Sequence, residues 1–184
     1  MPYFKSHAET AGPGNVFSAH PEIYRHWAAM GQALINGPSP LTPAERELIQ
    51  AYVAGLVDCR YAHVAHTACA VARGIDEGVV EKLMADIETA PIAPKLEPVM
   101  AYVRKLAVAP TSIGQADADA VFSAGWDEKA LHDAIAVTAR MIFMSRIIFG
   151  HGFTPMSPER AKASAEHHAK VGYVDLYPAL GQKG

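Results

Sequence analysis

The sequence has little excess charge of either sign and no block of basic residues. Its 184 residues include 16 lysines and arginines against 19 acidic residues, which gives a formal net charge of −3. A surface that binds nucleic acid normally needs clustered basic side chains. The sequence therefore predicts that nucleic acid is not a partner of this protein.

Long apolar runs are also scarce. The most apolar stretch, residues 134–149, is interrupted by Arg140 and Arg146, and the opening MPYFKSHAET lacks the apolar centre of a secretory signal. A membrane-spanning helix needs about 18 apolar residues in a row. We therefore expect no membrane segment and a cytoplasmic location. Because a guanidinium inside an apolar helix needs an anionic partner, we also expect Arg146 to form a structural ion pair.

Cysteine is rare, with only Cys59 and Cys69 in the chain. In a reducing compartment two such residues are free thiols, ligands or redox groups more often than a structural bridge. Ten residues of helix would separate them by ~15 Å, whereas a disulfide needs Cα atoms within ~7 Å. We therefore expect no disulfide and interpret Cys69 as a packing residue.

The sequence also lacks the alternation of β-branched and polar residues that marks strands. Half of its residues are hydrophobic, and its length suits one apolar core. We therefore predict one all-α domain, residues 1–184, with about seven to eight helices, an N-terminal arm at 1–19 and a C-terminal tail at 171–184.

Apolar residues at helical spacing and capping residues give the expected helix boundaries. Thr42, Pro43 and Glu45 form a capping box before the second helix, Asp58 is expected to cap the third, and Asp127 a long, strongly apolar one. The predicted helices are 21–36, 43–56, 59–73, 79–87 capped by Asp76, 99–108, 115–124, 128–149 and 158–168.

Candidate functional residues concentrate in the third predicted helix. At 100° per residue, His66 lies about 20° from Cys59 around the axis and His63 about 40° from it. Cys59 would sit in the first turn, where free backbone N–H groups favour a thiolate. Together with Glu47 these residues could also ligate zinc. Because the chain contains nine histidines, such spacing recurs by chance, and we predict neither a metal nor a cofactor.

Glu47 stands twelve residues before Cys59, and His66 stands seven residues after it. This pattern resembles the core motif of the AhpD-like alkylhydroperoxidase and carboxymuconolactone decarboxylase superfamily, in which a glutamate, a C-x-x-C pair and a histidine form a thiol peroxidase and proton-relay site. The segments LTPAERELI and LHDAIAVTARMIFMSRIIFG and the position of Gly74 are similar as well. The resemblance covers roughly residues 20–150 and implies an AhpD-like helical fold.

The sequence departs from the family motif at its second cysteine, where Ala62 stands. The resemblance implies that the missing cysteine is the more important redox sulfur, so dithiol cycling is not available. A single-thiol mechanism, a reused acid–base site and a loss of catalysis all remain open.

Three hypotheses follow. In the first, an AhpD-like oxidoreductase uses Cys59 as nucleophile, His66 as general base and Glu47 to orient His66, with His63 beside them. Its substrate would be a peroxide and its reductant an external thiol. In the second, a decarboxylase-like lyase uses His66 and Glu47 on a small organic acid. In the third, the chain is a non-catalytic helical oligomer that has kept the fold and part of the site. The superfamily implies a homo-oligomer, either dimer, trimer or hexamer, under all three.

Overall fold

The computed structural model describes residues 1–177 and 180, and within them the chain is all-α. The prediction of an all-α class is confirmed, although the nine α-helices of the described part exceed the seven to eight expected. Their bounds are α1 Pro13–Ala19, α2 Pro21–Gly31, α3 Pro43–Leu56, α4 Arg60–Ala72, α5 Val79–Ala85, α6 Glu97–Val108, α7 Gln115–Ser123, α8 Glu128–His151 and α9 Pro158–Asp175. One π-helical turn, Gln32–Asn36, continues α2, and two 3-10 turns flank α6, at Pro94–Leu96 and Pro110–Ser112.

Helix α3 is the centre of the fold. The predicted capping box is present, because the Thr42 hydroxyl accepts from the Glu45 N–H at 3.1 Å and the Glu45 carboxylate accepts from the Thr42 N–H at 2.7 Å. Every residue from 46 to 54 is buried, since α3 packs against α4, α5, α6 and α8. A helix enclosed on all sides must find internal partners for any polar side chain that it carries.

The join between α3 and α4 differs from the prediction. Asp58 does not cap α4; it adopts a left-handed backbone conformation with φ 57°, which aspartate tolerates better than most residues. Cys59 is itself the N-cap, with φ −85° and ψ 77°, and α4 begins at Arg60. The Cys59 N–H donates to the Ala54 carbonyl at 2.8 Å and so satisfies the end of α3. Cys59 therefore stands outside the helical turn that we expected to stabilise its thiolate. Asp76 likewise does not cap α5, because Gly78, with φ 82°, is the N-cap and the helix begins at Val79.

The predicted N-terminal arm contains a helix. Pro13 occupies the first turn of α1, and the Asn15 side chain accepts from the Gly12 N–H at 3.0 Å. Both features that favour the start of a helix here therefore come from neighbouring residues in the sequence. Val16 and Phe17 are buried, which anchors α1 to the core.

The last helix continues beyond its predicted end at residue 168. The Ser157 hydroxyl accepts from the Arg160 N–H, and the helix runs to Asp175 with a break at Gly172, whose φ is 73° and ψ −169°. Part of the predicted tail, residues 171–175, is therefore helical and brings Tyr173 into the core, where it is 3% exposed. Within the predicted tail, residues 178–179 and 181–184 lie outside the described residues.

Helix α8 is long and apolar enough to cross a membrane when judged by length and composition, with a mean hydropathy of 1.3 in its best window. The expectation that no segment would reach this level is wrong. Core helices of folded domains reach it too, and α8 packs against α3 and α6 with 44% of that window buried. Arg146 is exposed on this helix, whereas Arg140 is buried, so the arginine that needs an internal partner is Arg140.

Candidate active site

Glu47 and His66 form a hydrogen-bonded pair between α3 and α4. The Nδ1 atom of His66 lies 2.8 Å from Oε2 of Glu47. Glu47 is fully buried, and burial alone would raise the pKa of its carboxyl group. The hydrogen bond from His66 and the nearby positive charges outweigh that effect and lower the pKa of Glu47 to about 2. Glu47 is therefore an anion at neutral pH, and His66 Nδ1 carries the hydrogen that it donates.

Two further side chains donate to the same carboxylate. Gln50 Nε2 donates to Oε2 at 2.9 Å, and the Tyr173 hydroxyl donates to Oε1 at 3.2 Å. Gln50 also donates to the Tyr173 hydroxyl at 3.0 Å, which links the three groups. Arg73 on the C-terminal side of α4 places its Nε 3.8 Å from Oε1. This set explains how the buried charge of Glu47 is tolerated.

Arg140 connects this hydrogen-bond network to the aromatic rings of Trp27 and Tyr173. Its Nη1 donates to Gln50 Oε1 at 2.8 Å. The guanidinium carbon lies 3.7 Å from the centroid of the Trp27 ring and 4.5 Å from that of Tyr173. The planar guanidinium thus orients Gln50 while it stacks on two aromatic faces.

Cys69 and His168 lie against the same carboxylate. The Cys69 Sγ is 3.4 Å from Nδ1 of His168. Burial, together with the charge of Glu47, raises the pKa of the Cys69 thiol, and burial lowers the pKa of His168 to about 4. Both groups are therefore neutral near pH 7. The interpretation of Cys69 as a packing residue overlooked this environment.

Among the described residues, the contacts of the predicted residues Cys59 and His63 are made elsewhere than at the Glu47–His66 pair. Cys59 is 1% exposed and lines a separate hollow with Arg60 and Phe153. His63 Nδ1 lies 2.9 Å from the Ala51 carbonyl on α3. Neither side chain forms a hydrogen bond with Glu47 or His66 among the described residues. Two residues seven positions apart in a helix are separated by ~10 Å along its axis, even when they lie at similar angles around it. Cys59, as the N-cap of α4, also has a backbone conformation that is not helical.

A cavity of about 310 Å³ opens beside His66. Its buried end holds Cys69 and His168, while Asn15, Arg160 and Ser164 line it where the chain is exposed. Its walls are mostly apolar and aromatic: Phe17, Trp27, Tyr61, Met144 and Tyr177. Ala62, which stands at the second cysteine position of the family motif, also lines this cavity. The space suits a small molecule with an apolar body.

The residues that could hold a metal ion are not those that the spacing suggested. One ligand atom each from Glu47, Cys69 and His168 lies within 4.8 Å of the other two, and all three residues are buried. Of the residues that complete the site, only Gln50 follows a recognisable spacing, one helical turn after Glu47. His168, Tyr173 and Arg140 are distant in sequence and carry no local signal.

Comparison with known proteins agrees with this architecture. Residues 21–105, slightly under half of the chain, match the model of the carboxymuconolactone decarboxylase family. No curated protein matches the sequence at a significant level.

Two solved structures share the fold. The first is an AhpD-core protein, an uncharacterized peroxidase-related protein from Ralstonia eutropha JMP134; the TM-score is 0.73 at 22% identity, over 82% of this chain and 78% of that one. The second is an uncharacterized peroxidase-related protein from Silicibacter sp. TM1040; the TM-score is 0.68 at 22% identity, over 84% of this chain and 96% of that one. The helices that carry Glu47 and His66 lie within the segment that matches the family model, and the chain shares its fold with these two proteins.

Proposed function

We propose that the protein is an enzyme in which His66, held by Glu47, transfers protons to and from a small organic molecule bound in the cavity. The observation that carries this proposal is the 2.8 Å contact between His66 Nδ1 and the buried Glu47 carboxylate. Because Nδ1–H is committed to Glu47, Nε2 is the ring nitrogen left to act as a base. His66 lines the cavity, and its side chain is 15% exposed.

In the proposed step, His66 Nε2 takes a proton from an acidic carbon or oxygen of the substrate. The resulting imidazolium is stabilised by the Glu47 carboxylate and returns the proton to the product, for example at a carbon from which carbon dioxide has left. No oxidant or reductant is required. A small organic acid of the kind that a decarboxylase-like lyase would use is the proposed substrate class.

The positions of the sulfur atoms favour this chemistry over a thiol cycle at the cavity. Ala62 occupies the wall where the family motif has its second cysteine, and Cys59 lines another hollow. Cys69 does line the cavity, but burial raises the pKa of its thiol, and a protonated thiol is a poor nucleophile. The imidazole is thus the group best prepared to react there.

Proton transfer can be tested before the substrate is identified. A panel of small keto acids and lactone carboxylates is incubated with the protein in D₂O, and exchange of carbon-bound hydrogen is followed by NMR. We expect exchange or decarboxylation of at least one compound, lowered about 10²- to 10⁴-fold in His66→Ala. Cys59→Ala should keep the activity, and His132→Ala, which alters an exposed histidine on α8, is the matched control. Equal losses in Cys59→Ala and His66→Ala would contradict the proposal.

A second candidate is the AhpD-like oxidoreductase, because both structural relatives are peroxidase-related proteins. The Cys59 thiolate would attack a peroxide, forming a sulfenic acid and an alcohol or water, and an external thiol would reduce the sulfenic acid. Mass spectrometry with a sulfenic-acid probe would find label on Cys59 after peroxide treatment and none in Cys59→Ser. Absence of label together with no consumption of peroxide would exclude this candidate.

We also propose a cytoplasmic homo-oligomer. Helix α8 leaves Phe143 and Phe149 exposed at 46% and 42%, which suits contact with another copy of the chain. Light scattering distinguishes the dimer, trimer and hexamer from a monomer.

The non-catalytic hypothesis is less well supported, because Glu47 and His66 meet beside a cavity that a purely structural protein has no need to keep.

A further inference from the structure

Three side chains with different donor atoms converge at the buried end of the cavity. Glu47 comes from α3, Cys69 from α4 and His168 from α9, so residues 121 positions apart in the chain supply a carboxylate, a thiol and an imidazole to one point. We propose that Glu47, Cys69 and His168 bind a transition-metal ion of the zinc class, with a fourth coordination position open to the cavity.

The donor set selects the kind of ion. Sulfur and imidazole ligands suit zinc and its neighbours, whereas magnesium and calcium require mostly oxygen ligands. Zinc binds cysteine sulfur at about 2.3 Å and histidine nitrogen at about 2.0 Å, so two such ligands of a tetrahedral ion lie roughly 3.5 Å apart. The Cys69 Sγ and His168 Nδ1 atoms are already separated by 3.4 Å. Three protein ligands with one open position are typical of a catalytic zinc site.

The surroundings of the three residues also suit a metal. Oε2 of Glu47 is held by His66 and Gln50, whereas Oε1 accepts one hydrogen bond among the described residues, from Tyr173, with Arg73 Nε 3.8 Å away. Glu47 can therefore bind an ion through Oε1 and keep its contact with His66, an arrangement in which outer residues orient the ligand.

One polar atom of the cluster lacks a partner. In the part of the chain that the structure describes, the buried Nε2 of His168 has no hydrogen bond, and such an atom in a core needs an explanation. Coordination of an ion through Nε2, after rotation of the ring, would give this atom a partner. Binding would follow M²⁺ + Cys–SH → M²⁺–S⁻–Cys + H⁺, so that one proton is released and the two anionic ligands balance the ion.

Cobalt(II) provides a direct test, because a cobalt–thiolate bond has a near-ultraviolet charge-transfer band. Metal-free protein is titrated with CoCl₂ while absorbance and proton release are recorded. We expect one cobalt and about one proton per chain, and loss of the band when ZnCl₂ is added. No band in the unmodified protein would overturn the proposal and leave the cluster as a hydrogen-bonded packing group.

The two cysteines give a matched pair of variants. Cys69→Ser should abolish the charge-transfer band, and Cys59→Ser, which removes the other buried thiol, should retain it. His168→Gln should weaken cobalt binding by at least about tenfold. A band that survives in Cys69→Ser, or that disappears only in Cys59→Ser, contradicts the assignment. Should Cys69→Ser fail to give the far-ultraviolet circular dichroism of the parent, His168→Gln alone decides: unchanged affinity and proton release in that variant would refute the site.

The outcome is independent of the proton-transfer proposal. Cobalt binding is read without substrate. His66→Ala should keep the band at saturating cobalt, with a weaker affinity, because His66 orients Glu47 but is not a ligand. An absent band combined with substrate exchange would refute the metal site alone, and a present band without exchange would refute only the proton-transfer function.

Discussion

The Tyr173 hydroxyl donates a hydrogen bond to Oε1 of Glu47 at 3.2 Å, across 126 residues of chain. Glu47 lies in the middle of the central helix, whereas Tyr173 follows the break at Gly172 in the last helix. The break directs the Tyr173 side chain inward, and the backbone N–H of Tyr173 donates to Gln32 Oε1 at 2.8 Å. The C-terminal helix thus completes the environment of a carboxylate that the matched family segment, residues 21–105, supplies.

Replacing Tyr173 with phenylalanine removes one donor to Glu47 and leaves Gln50 with one acceptor fewer. Because both groups are buried, we expect Tyr173→Phe to lower the free energy of unfolding by about 1–3 kcal/mol. Urea denaturation measures the change. Tyr102→Phe is the control, since the hydroxyl of this half-buried residue has no hydrogen bond within the described chain; a similar loss in both variants would mean that the contact with Glu47 contributes nothing.

The break in α9 requires glycine at position 172. An added Cβ would strain a backbone with φ 73° and would clash with Gln32 Oε1. We expect Gly172→Ala to destabilise the protein by at least about 1–3 kcal/mol and to displace Tyr173. Gly150→Ala changes a helical glycine with open space around it and should instead stabilise by about 0.5–1 kcal/mol. Thermal unfolding should show a lower melting temperature for Gly172→Ala and a higher one for Gly150→Ala. Equal changes in the two variants would contradict the role of the break.

The stability of metal-free protein should depend on pH through His168. Burial lowers the pKa of His168 from 6.5 to about 4, so the folded state favours the neutral ring. The contribution of the neutral His168 ring to the free energy of unfolding is complete above pH 6.5. It is lost as the pH falls from about 6.5 towards 4. A pKa shift of this size corresponds to a loss of about 3 kcal/mol in the free energy of unfolding. Urea denaturation at pH 7.5 and 4.5, with EDTA present, measures it.

The neighbouring histidine provides the control for this pH effect. His168→Gln should flatten the pH dependence between 6.5 and 4, whereas His167→Gln, at an exposed position, should leave it as in the parent. A steep dependence that persists in His168→Gln would assign it to other groups.

Arg140 should not tolerate replacement by lysine. Its guanidinium stacks on Trp27 and Tyr173 and donates to Gln50, and an ammonium group cannot reproduce this planar geometry. We expect Arg140→Lys to lower the free energy of unfolding by about 2 kcal/mol. The matched variant Arg146→Lys, on the same helix but exposed, should change it by less than about 0.5 kcal/mol. Comparable effects of the two substitutions on urea denaturation would contradict the stacking.

Local signals predicted most of the helices. The capping box at Thr42, the Asp127 cap and the apolar spacing of α6 and α7 act within one or two turns, and the structure contains the corresponding elements. The errors occurred where a tertiary contact changed the local preference. Asp58 entered a left-handed turn because α3 and α4 pack against each other across a three-residue link, and α9 continued beyond His168 because Tyr173 finds buried partners.

The candidate site likewise contains residues that could be predicted from the sequence and residues whose positions depend on tertiary structure. The resemblance to the family motif singled out Glu47 and His66, and these two residues do meet, because α3 and α4 are adjacent in sequence and in space. A shared angle around one helix was a poorer guide for Cys59 and His63, because it ignores rise along the axis and the departure of an N-cap from helical geometry. The catalytic roles of these two residues remain predictions.

The sequence by itself determined the helical class and the main helix boundaries, because each depends on periodicity or capping within a short stretch of chain, and its resemblance to the family motif singled out Glu47 and His66. Only the tertiary structure decided that Cys69, His168, Tyr173 and Arg140 surround that pair. Their positions follow from how α4, α8 and α9 pack around α3, and such packing depends on contacts between distant residues that no local pattern encodes.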